Sequence, residues 1–481
     1  MSTSLIFICF LAYTLMIFVI SFITSRKAKN ESYFIGERKS SWPIVAYGMI
    51  GASLSGVTFI SIPGDVYNSG FSYMMVAFGY LLGYAIIATV LLPIYYKLKL
   101  TTIYTYLQQR FGSVSYHTGS TFFILSKMLG AAGRLFLVAY VMQKFVFDAW
   151  NVPFILTATI FVAFIVLYTF KGGIKTIIWT DTLQTTFMIL SLIVCFFIII
   201  KTLNTNFSDM VSQIFQHEYS KMIVTDWNSR LHYLKQFFGG AFIAVTMTGL
   251  DQDMMQKNLS CRNLKSAQKN MFLMSSCLIP VNFLFLVMGI GLYIFANSQG
   301  IAIPVQTDEL FPLIMLKHLG PVAGVVFLIG LISAAYSSGD GALTALTTSF
   351  CIDFLGFDGK RKNLSEEKKK SIRIKVHFTF AALMVLLIVL FNKLNDNSII
   401  TTIFMIAGYT YGPLLGLFAL GIFTKIDIND KYVPVVAIVA PVLCYLLNRI
   451  FPFGFALIIV NGALTFLGLL LISKRKSGTH I

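Results

Sequence analysis

The segment from residue 48 to residue 58 reads Gly48-Met49-Ile50-Gly51-Ala52-Ser53-Leu54-Ser55-Gly56-Val57-Thr58, and Pro63-Gly64 follows shortly after it. The segment lies within an apolar stretch, residues 42–64, that is long enough to cross a membrane. Its glycines and small hydroxylated residues make a poor continuous helix at that depth. We therefore predict a membrane helix that is interrupted near its middle, where backbone groups become free to bind an ion or a solute.

The composition excludes a soluble protein. Of the 481 residues, 57% are hydrophobic and only 12% are charged, whereas a soluble domain carries about a quarter charged residues. The excess of 37 basic over 20 acidic residues is typical of cytoplasmic loops in a membrane protein. We expect a protein partnered by the lipid bilayer, with no nucleic acid and no obligate protein partner.

Apolar runs predict an all-α membrane protein of about thirteen transmembrane helices. They lie near residues 4–24, 42–64, 70–96, 120–147, 152–170, 176–200, 233–256, 270–297, 321–355, 373–392, 397–423, 432–449 and 453–473. The first run is followed by a basic cluster and has no small-residue cleavage site, so it is expected to be an uncleaved helix. The basic clusters are Arg26 to Lys39, Lys257 to Lys269, Lys360 to Lys375, and Lys474 to Lys476. Their placement predicts an integral plasma (inner) membrane protein with its N-terminus outside and its C-terminus in the cytoplasm.

A second interruption is predicted five spans after the first. There Phe238-Gly239-Gly240-Ala241 is followed by Thr246, Thr248 and Gly249. Small residues also permit close helix packing, which is our interpretation of Gly79-x-x-x-Gly83. The matching positions of the two interruptions favour two five-helix units, and because five is odd the second unit enters the membrane from the opposite side.

Arg134, Asp181 and Asp340 are predicted to lie within spans, where ionisable residues are costly and usually functional. Arg134 lies near the middle of the fourth span and needs an anionic partner, either a protein carboxylate or the carboxylate of a solute. Asp181 and Asp340 offer the hard oxygen ligands that a small cation such as Na⁺ prefers. Ser337 and Ser338 could add hydroxyl ligands, although such serines also bond back to the preceding helical turn.

Two further carboxylates have a simpler interpretation. Asp251 and Asp253 lie near the inner end of the seventh span, close to Lys257, and a surface salt bridge accounts for them. Histidines and cysteines form no cluster in the sequence, so we expect no catalytic metal and no enzyme.

The motifs together resemble the sodium:solute symporter family, which includes the sodium/glucose and bacterial sialic acid symporters. They are Ser55-Gly56-Val57-Thr58-Phe59-Ile60-Ser61-Ile62-Pro63, Gly133-Arg134, Trp179-Thr180-Asp181-x-x-Gln184 and Ala334-Ala335-Tyr336-Ser337-Ser338. The resemblance implies a LeuT-type fold. A leading helix (4–24) would precede two inverted five-helix repeats (42–200 and 233–423), and two trailing helices (432–473) would follow them.

The resemblance also implies a sodium site between the broken second span and the ninth span. Backbone carbonyls of Gly51, Leu54 and Ala334 and the hydroxyls of Ser337 and Ser338 would be its ligands. In the sialic acid branch, substrate contacts match Ser53, Ser55, Thr58 and Arg134, and we add Tyr73 to the predicted substrate-binding residues. A glutamine expected in the third span aligns with Ala77, so the solute can differ from sialic acid.

A second sodium site of that branch matches Asp181, Ser337, Asp340 and Gly341. This sequence departs from the branch there, because a serine is expected where Asp340 stands and Gly341 follows it. The site is therefore expected either to bind a second Na⁺ or to exchange a proton.

We predict a sodium-coupled secondary active symporter that imports a small polar organic solute, most simply a sugar or a sugar acid such as sialic acid, by alternating access. Na⁺ is the coupling ion. The alternative is a proton-coupled transporter of an organic anion or amino acid. A membrane-embedded sensor is a remote alternative, because it would need an output domain for which no room remains after the last predicted span.

Overall fold

The computed structural model describes residues 3–25, 30–359, 361–394 and 399–474. Several residues of the basic clusters, at 26–29, 360 and 475–476, lie outside the described residues, as do 397–398 at the start of the eleventh predicted span. Within the described ranges the fold is all helical, and pairing between extended segments is limited to the isolated bridges Ser40–Cys261 and Ile428–Ser473. This agrees with the predicted fold class.

The helices of eight or more residues are numbered in chain order. They are α1 (Thr3–Ser25), α2 (Trp42–Ser53), α3 (Gly56–Ser69), α4 (Tyr73–Ile86), α5 (Ser113–Met142), α6 (Phe154–Thr169), α7 (Ile174–Thr202), α8 (Phe207–Gln216), α9 (Tyr233–Ala244), α10 (Gln252–Leu259), α11 (Leu264–Ser298), α12 (Gly320–Ser349), α13 (Glu366–Leu394), α14 (Ile399–Phe423), α15 (Val433–Ile450) and α16 (Leu457–Leu471). Shorter helices span Asn30–Ile35, Leu92–Lys97, Thr105–Arg110 and Leu310–Leu313. Single π-helical turns extend α4, α5, α9 and α12 at their C-terminal ends.

Ten helical segments in the described part of the chain are long and apolar enough to cross a membrane, against about thirteen predicted. The counts differ at three places. Residues 56–97 count as one 42-residue helical segment although they contain two predicted spans, α6 has only 16 residues, and the seventh predicted span is divided between α9 and α10. A 42-residue helix would measure about 63 Å, but Gly70, with φ of 54° and ψ of −150°, ends α3 within it before α4 begins.

The first predicted interruption is confirmed. Helix α2 ends at Ser53, and Leu54 (φ −91°, ψ 101°) and Ser55 (φ −89°, ψ 176°) are extended before α3 begins. The Thr58 hydroxyl accepts a hydrogen bond of 3.3 Å from the Ser55 backbone N–H. The two extended residues are buried inside the protein, so the break is an internal feature of the bundle.

The second interruption exists, and it lies at the C-terminal end of the predicted stretch, where a π-helical turn spans Val245–Gly249. Gly239 and Gly240 lie within α9, where a Cβ on Gly240 would come within 2.2 Å of the Val76 carbonyl oxygen. They therefore serve close packing against α4. The chain leaves the helix at Leu250 and Asp251 instead, and the Asp251 carboxylate caps α10 by accepting hydrogen bonds from the N–H groups of Asp253 and Met254.

Packing brings both interruptions to the centre of the bundle. Helix α2 packs against α7 and α12, and these two helices also pack against each other. The first break, at the end of α2, therefore lies beside α7 and α12. Helix α9 packs against α4, and α14 contacts α5 and the π-helical turn before the second break. The interior between these helices is where free backbone groups and buried polar side chains meet.

Gly79 tests the packing of α4 on α9. A Cβ at this position would lie 2.0 Å from the Phe237 carbonyl oxygen and 2.9 Å from the Ala241 nitrogen. We expect Gly79→Ala to destabilise the protein by about 1–3 kcal/mol, because two backbones must separate, and to lower the melting temperature of the purified protein. Gly359→Ala is the control, since its added Cβ meets nothing closer than 4.0 Å. Equal melting temperatures would contradict the packing.

Candidate functional site

Oxygen atoms from α2 and α12 converge beside the first interruption. The Ser337 hydroxyl donates to the carbonyl oxygens of Gly51 and Ala334, each at 3.2 Å, and the Ser338 hydroxyl donates to Ala334 at 3.1 Å. The bonds to Ala334 are the local ones that serines commonly form. The bond from Ser337 to Gly51 joins α12 to α2, because the two residues are 286 positions apart in the chain. The structure thus brings together four residues of the predicted sodium site, and the fifth, Leu54, is the first residue of the break.

Thr185 of α7 holds α2 in this position. Its hydroxyl accepts a hydrogen bond from the Gly51 N–H at 3.1 Å and donates to the Asp181 carbonyl at 2.7 Å. A Cβ on Gly51 would lie 2.1 Å from that hydroxyl oxygen. The last turn of α2 therefore depends on glycine for its close approach to α7, and its carbonyl groups face α12.

A cavity of about 90 Å³ opens on the other side of the same interruption. The predicted substrate-binding residues, which come from four separate helical elements, all line it: they are Ser53, Ser55, Thr58, Tyr73 and Arg134. Polar residues that we did not predict complete the wall: they are Tyr80, Tyr84, Lys127, Thr248, Asp251 and Tyr411. Ala77 is fully buried and is not part of the wall.

Arg134 is a cation of this cavity that has no carboxylate as counterion among the residues that the structure describes. Its side chain is partly exposed, in contrast to the residues around it on α5. Among the described residues, no carboxylate lies within the 4.0 Å ion-pair distance of its guanidinium. Of the two partners considered from the sequence, a protein carboxylate is therefore not found in the described part of the chain.

The interpretation of Asp251 and Asp253 as a surface salt bridge was wrong. Both are buried, with 1% and 4% of their surface exposed. The Lys127 ammonium nitrogen lies 3.2 Å from both oxygens of Asp251 and 2.8 Å from Asp253 Oδ2. Tyr411 also donates a hydrogen bond to Asp251. The fold covers this end of α10 with α5 and α14, which the local sequence could not indicate.

Lys127 was missed as a functional candidate, although the sequence carried a signal. It lies seven residues before Arg134, which is about two helical turns. The two cations therefore project from one face of α5 into one cavity.

The residues of the predicted second sodium site are buried around a lysine. The Lys257 ammonium nitrogen lies 2.9 Å from Asp181 Oδ2 and 3.3 Å from Asp253 Oδ1. Asp340 accepts hydrogen bonds from the Tyr168 hydroxyl at 3.0 Å and from the Gly341 N–H at 2.6 Å. The hydroxyl of Thr180, the residue before Asp181, also donates to Asp340 Oδ2 at 3.4 Å, so α7 and α12 meet at these two carboxylates, with Lys257 beside Asp181.

The combination of two interrupted helices, a polar cavity and converging oxygen ligands inside an apolar helical bundle defines a membrane transport protein. A profile of the sodium:solute symporter family matches residues 33–429. The chain therefore belongs to the sodium:solute symporter family, and the resemblance seen in the sequence is confirmed. It is an integral multi-pass membrane protein, and its class is that of sodium-coupled symporters.

Individual relatives agree with this assignment. The chain is 25% identical over 452 residues to the sodium/sialic acid symporter NanT of Aliivibrio fischeri, covering 91% of this chain and 86% of the relative. It is 24% identical over 422 residues to the sodium/sialic acid symporter SiaT of Proteus mirabilis, covering 85% and 82%. The substrate-bound outward-open structure of a Na⁺-coupled sialic acid symporter superimposes with a TM-score of 0.83 at 20% identity, covering 98% of this chain and 99% of that one. The structural likeness establishes the shared fold.

Asp251 should be the most sensitive carboxylate of the cavity, because it caps α10, pairs with Lys127 and accepts from Tyr411. We expect Asp251→Ala to cost about 3–5 kcal/mol, since it leaves a buried cation with one partner fewer. Asp251→Asn should cost less because it keeps an oxygen for the cap and for Tyr411.

The readout is the melting temperature of the purified protein. Asp427→Ala is the matched control, because it removes an exposed ion pair with Arg110 and should change stability by less than about 1 kcal/mol. Equal melting temperatures of Asp251→Ala and Asp427→Ala would contradict the structural role of Asp251.

Proposed function

We propose that this symporter uses Na⁺ entry to import a sugar acid of the sialic acid class, by alternating access around the cavity at the first interruption. The observation that carries the proposal is Arg134, a cation that faces the cavity without a described protein carboxylate beside it. A guanidinium binds a carboxylate through two parallel hydrogen bonds. The names of the two bacterial relatives, both sodium/sialic acid symporters, support the same solute class.

The rest of the cavity wall suits a polyhydroxylated solute. Ser53, Ser55, Thr58 and Tyr73 offer hydroxyl groups that can both donate and accept hydrogen bonds. Ala77 stands where the resemblance to the sialic acid branch implies a glutamine, and it is buried outside the cavity wall, so no polar group reaches the cavity from this position. We therefore propose a solute that keeps the carboxylate of sialic acid and differs from it in the ring substituents that the glutamine would contact.

The coupling ion is proposed to bind to the carbonyls of Gly51, Leu54 and Ala334 and to the hydroxyls of Ser337 and Ser338. Because this site joins α2 to α12, an ion there would fix the interrupted helix against the helix that it faces. One Na⁺ that moves down 100 mV releases about 2.3 kcal/mol, and a tenfold gradient adds about 1.4 kcal/mol. One ion can therefore sustain a solute gradient of several hundredfold.

The arrangement in the membrane belongs to the same proposal. We place the N-terminus outside and the C-terminus in the cytoplasm of a plasma membrane, with about thirteen spans. Residues 42–200 and 233–423 would form the two inverted repeats, and the interruptions after α2 and after α9 support this pairing. The basic loops support the orientation.

Uptake of labelled sialic acid into proteoliposomes tests the proposal through Arg134. An inward Na⁺ gradient should drive uptake and a proton gradient alone should not. Arg134→Ala should abolish uptake. Arg134→Lys should raise the half-saturating solute concentration about 10- to 100-fold, because an ammonium cannot reproduce the planar two-bond contact.

Arg449→Lys is the control, because this arginine is exposed and lies outside the cavity wall. Normal uptake by Arg134→Ala would refute the role of Arg134. Uptake driven by protons alone would favour the proton-coupled alternative.

Ser338→Ala tests the coupling-ion site. The variant removes one hydroxyl ligand and leaves α12 intact, so we expect the half-saturating Na⁺ concentration for uptake to rise several-fold at normal protein yield. Ser298→Ala is the matched control, since it deletes a similar hydroxyl-to-carbonyl bond on α11. An unchanged Na⁺ dependence in Ser338→Ala would remove Ser338 from the site.

A further inference from the structure

Lys257 is an ammonium group buried at the place where a second cation was predicted. It lies on the short helix α10 and has 1% of its surface exposed. Its nitrogen is 2.9 Å from Asp181 on α7 and 3.3 Å from Asp253 on its own helix. Lys257 thus contacts one of the predicted ligands of the second sodium site directly.

Asp181 depends on this lysine for compensation of its charge. The carboxylate is 1% exposed, and neither of its oxygens accepts a well-aligned hydrogen bond within the described ranges. A buried carboxylate without a partner is strongly destabilising, so it requires a cation nearby. The Lys257 ammonium supplies that cation from within the chain.

Asp340 takes its hydrogen bonds from the chain as well. Its Oδ2 accepts from the Tyr168 hydroxyl at 3.0 Å and from Thr180 at 3.4 Å, and its Oδ1 accepts from the Gly341 N–H at 2.6 Å. Both oxygens are therefore engaged by donors of the protein itself. Of the two carboxylates of the predicted site, Asp340 is hydrogen-bonded by the chain and Asp181 is paired with the Lys257 ammonium.

The glycine at position 341 is part of the same arrangement. A Cβ at Gly341 would lie 2.4 Å from Asp253 Oδ1, and this is the oxygen that faces Lys257. A larger residue would push that carboxylate away from the lysine. Gly341 therefore makes room for Asp253, and Asp253 with Asp181 holds the ammonium between α7 and α10.

We infer that the ammonium of Lys257 is a tethered cation that takes the place of the second Na⁺, so that a single Na⁺, at the site between α2 and α12, drives transport. The inference rests on the sodium coupling proposed above and specifies its stoichiometry. It follows from the juxtaposition of Lys257, Asp181, Asp253 and Gly341. A lysine cannot leave with the solute, so the charge that it supplies stays in the carrier through the whole cycle.

The test counts bound Na⁺ directly on the purified protein in the absence of solute. Radioactive Na⁺ bound at saturation should amount to one ion per wild-type chain, with a Hill coefficient of one. Lys257→Met frees Asp181 and should raise the count to two ions with a Hill coefficient above one. Lys257→Met combined with Asp181→Asn should return it to one, and Lys257→Arg should keep it at one.

Lys144→Met is the matched control, because it deletes a different ion pair, with Glu309, and should leave the count at one. Two ions on the wild-type chain, or a single ion on monodisperse Lys257→Met, would overturn the inference. If Lys257→Met does not fold, the wild-type count decides between one ion and two. A wild-type chain that binds no Na⁺ would instead refute the proposed sodium coupling, so the two failures give different counts.

Discussion

Backbone groups that are released from a helix inside a membrane protein have no water to bond, and this constraint shapes the region around Leu54 and Ser55. Each unsatisfied peptide group would cost several kcal/mol. Side chains bond these backbone groups instead of water. The Thr185 hydroxyl accepts from the Gly51 N–H, the Ser337 hydroxyl donates to the Gly51 carbonyl, and the Thr58 hydroxyl accepts from the Ser55 N–H. Helices α7 and α12 are held where they can supply these hydroxyls, so the packing of the centre follows from the interruption.

Buried charges surround the second interruption, and the protein must neutralise them from within. Asp251 caps α10 at the break, and three more carboxylates, Asp181, Asp253 and Asp340, are buried near it. Lys127 and Lys257 lie among them, and Asp253 contacts both lysines. A buried charge is tolerated only when it is paired and hydrogen-bonded. The two lysines pair with Asp181, Asp251 and Asp253, and donors of the chain bond both oxygens of Asp340.

Local composition was enough to predict the fold class and the first interruption, because a run of glycines and serines inside an apolar stretch disfavours a continuous helix. The residues predicted to bind substrate lie around one cavity, and four residues of the predicted sodium site lie beside one another. The second interruption lies only at the end of its predicted stretch, because Gly239 and Gly240 carry the same signal for a different reason, the close approach of α4. The ion pairs of Lys127 and Lys257 with Asp251 and Asp181 join residues far apart in the chain. Only the tertiary fold shows that these groups are buried together.

Asp251 belongs to the cavity wall, to the cap of α10 and to the ion pair with Lys127. Asp253 then connects Lys127 to Lys257, and Lys257 contacts Asp181. An anion in the cavity therefore changes the electrostatic potential along a continuous row of charges that runs toward Asp181 on α7, the helix that also holds Gly51 through Thr185. Linkage makes this influence reciprocal: the factor by which a bound solute tightens cation binding is the factor by which the cation tightens solute binding. The free energy of the loaded carrier is consequently the same whichever of the two arrives first.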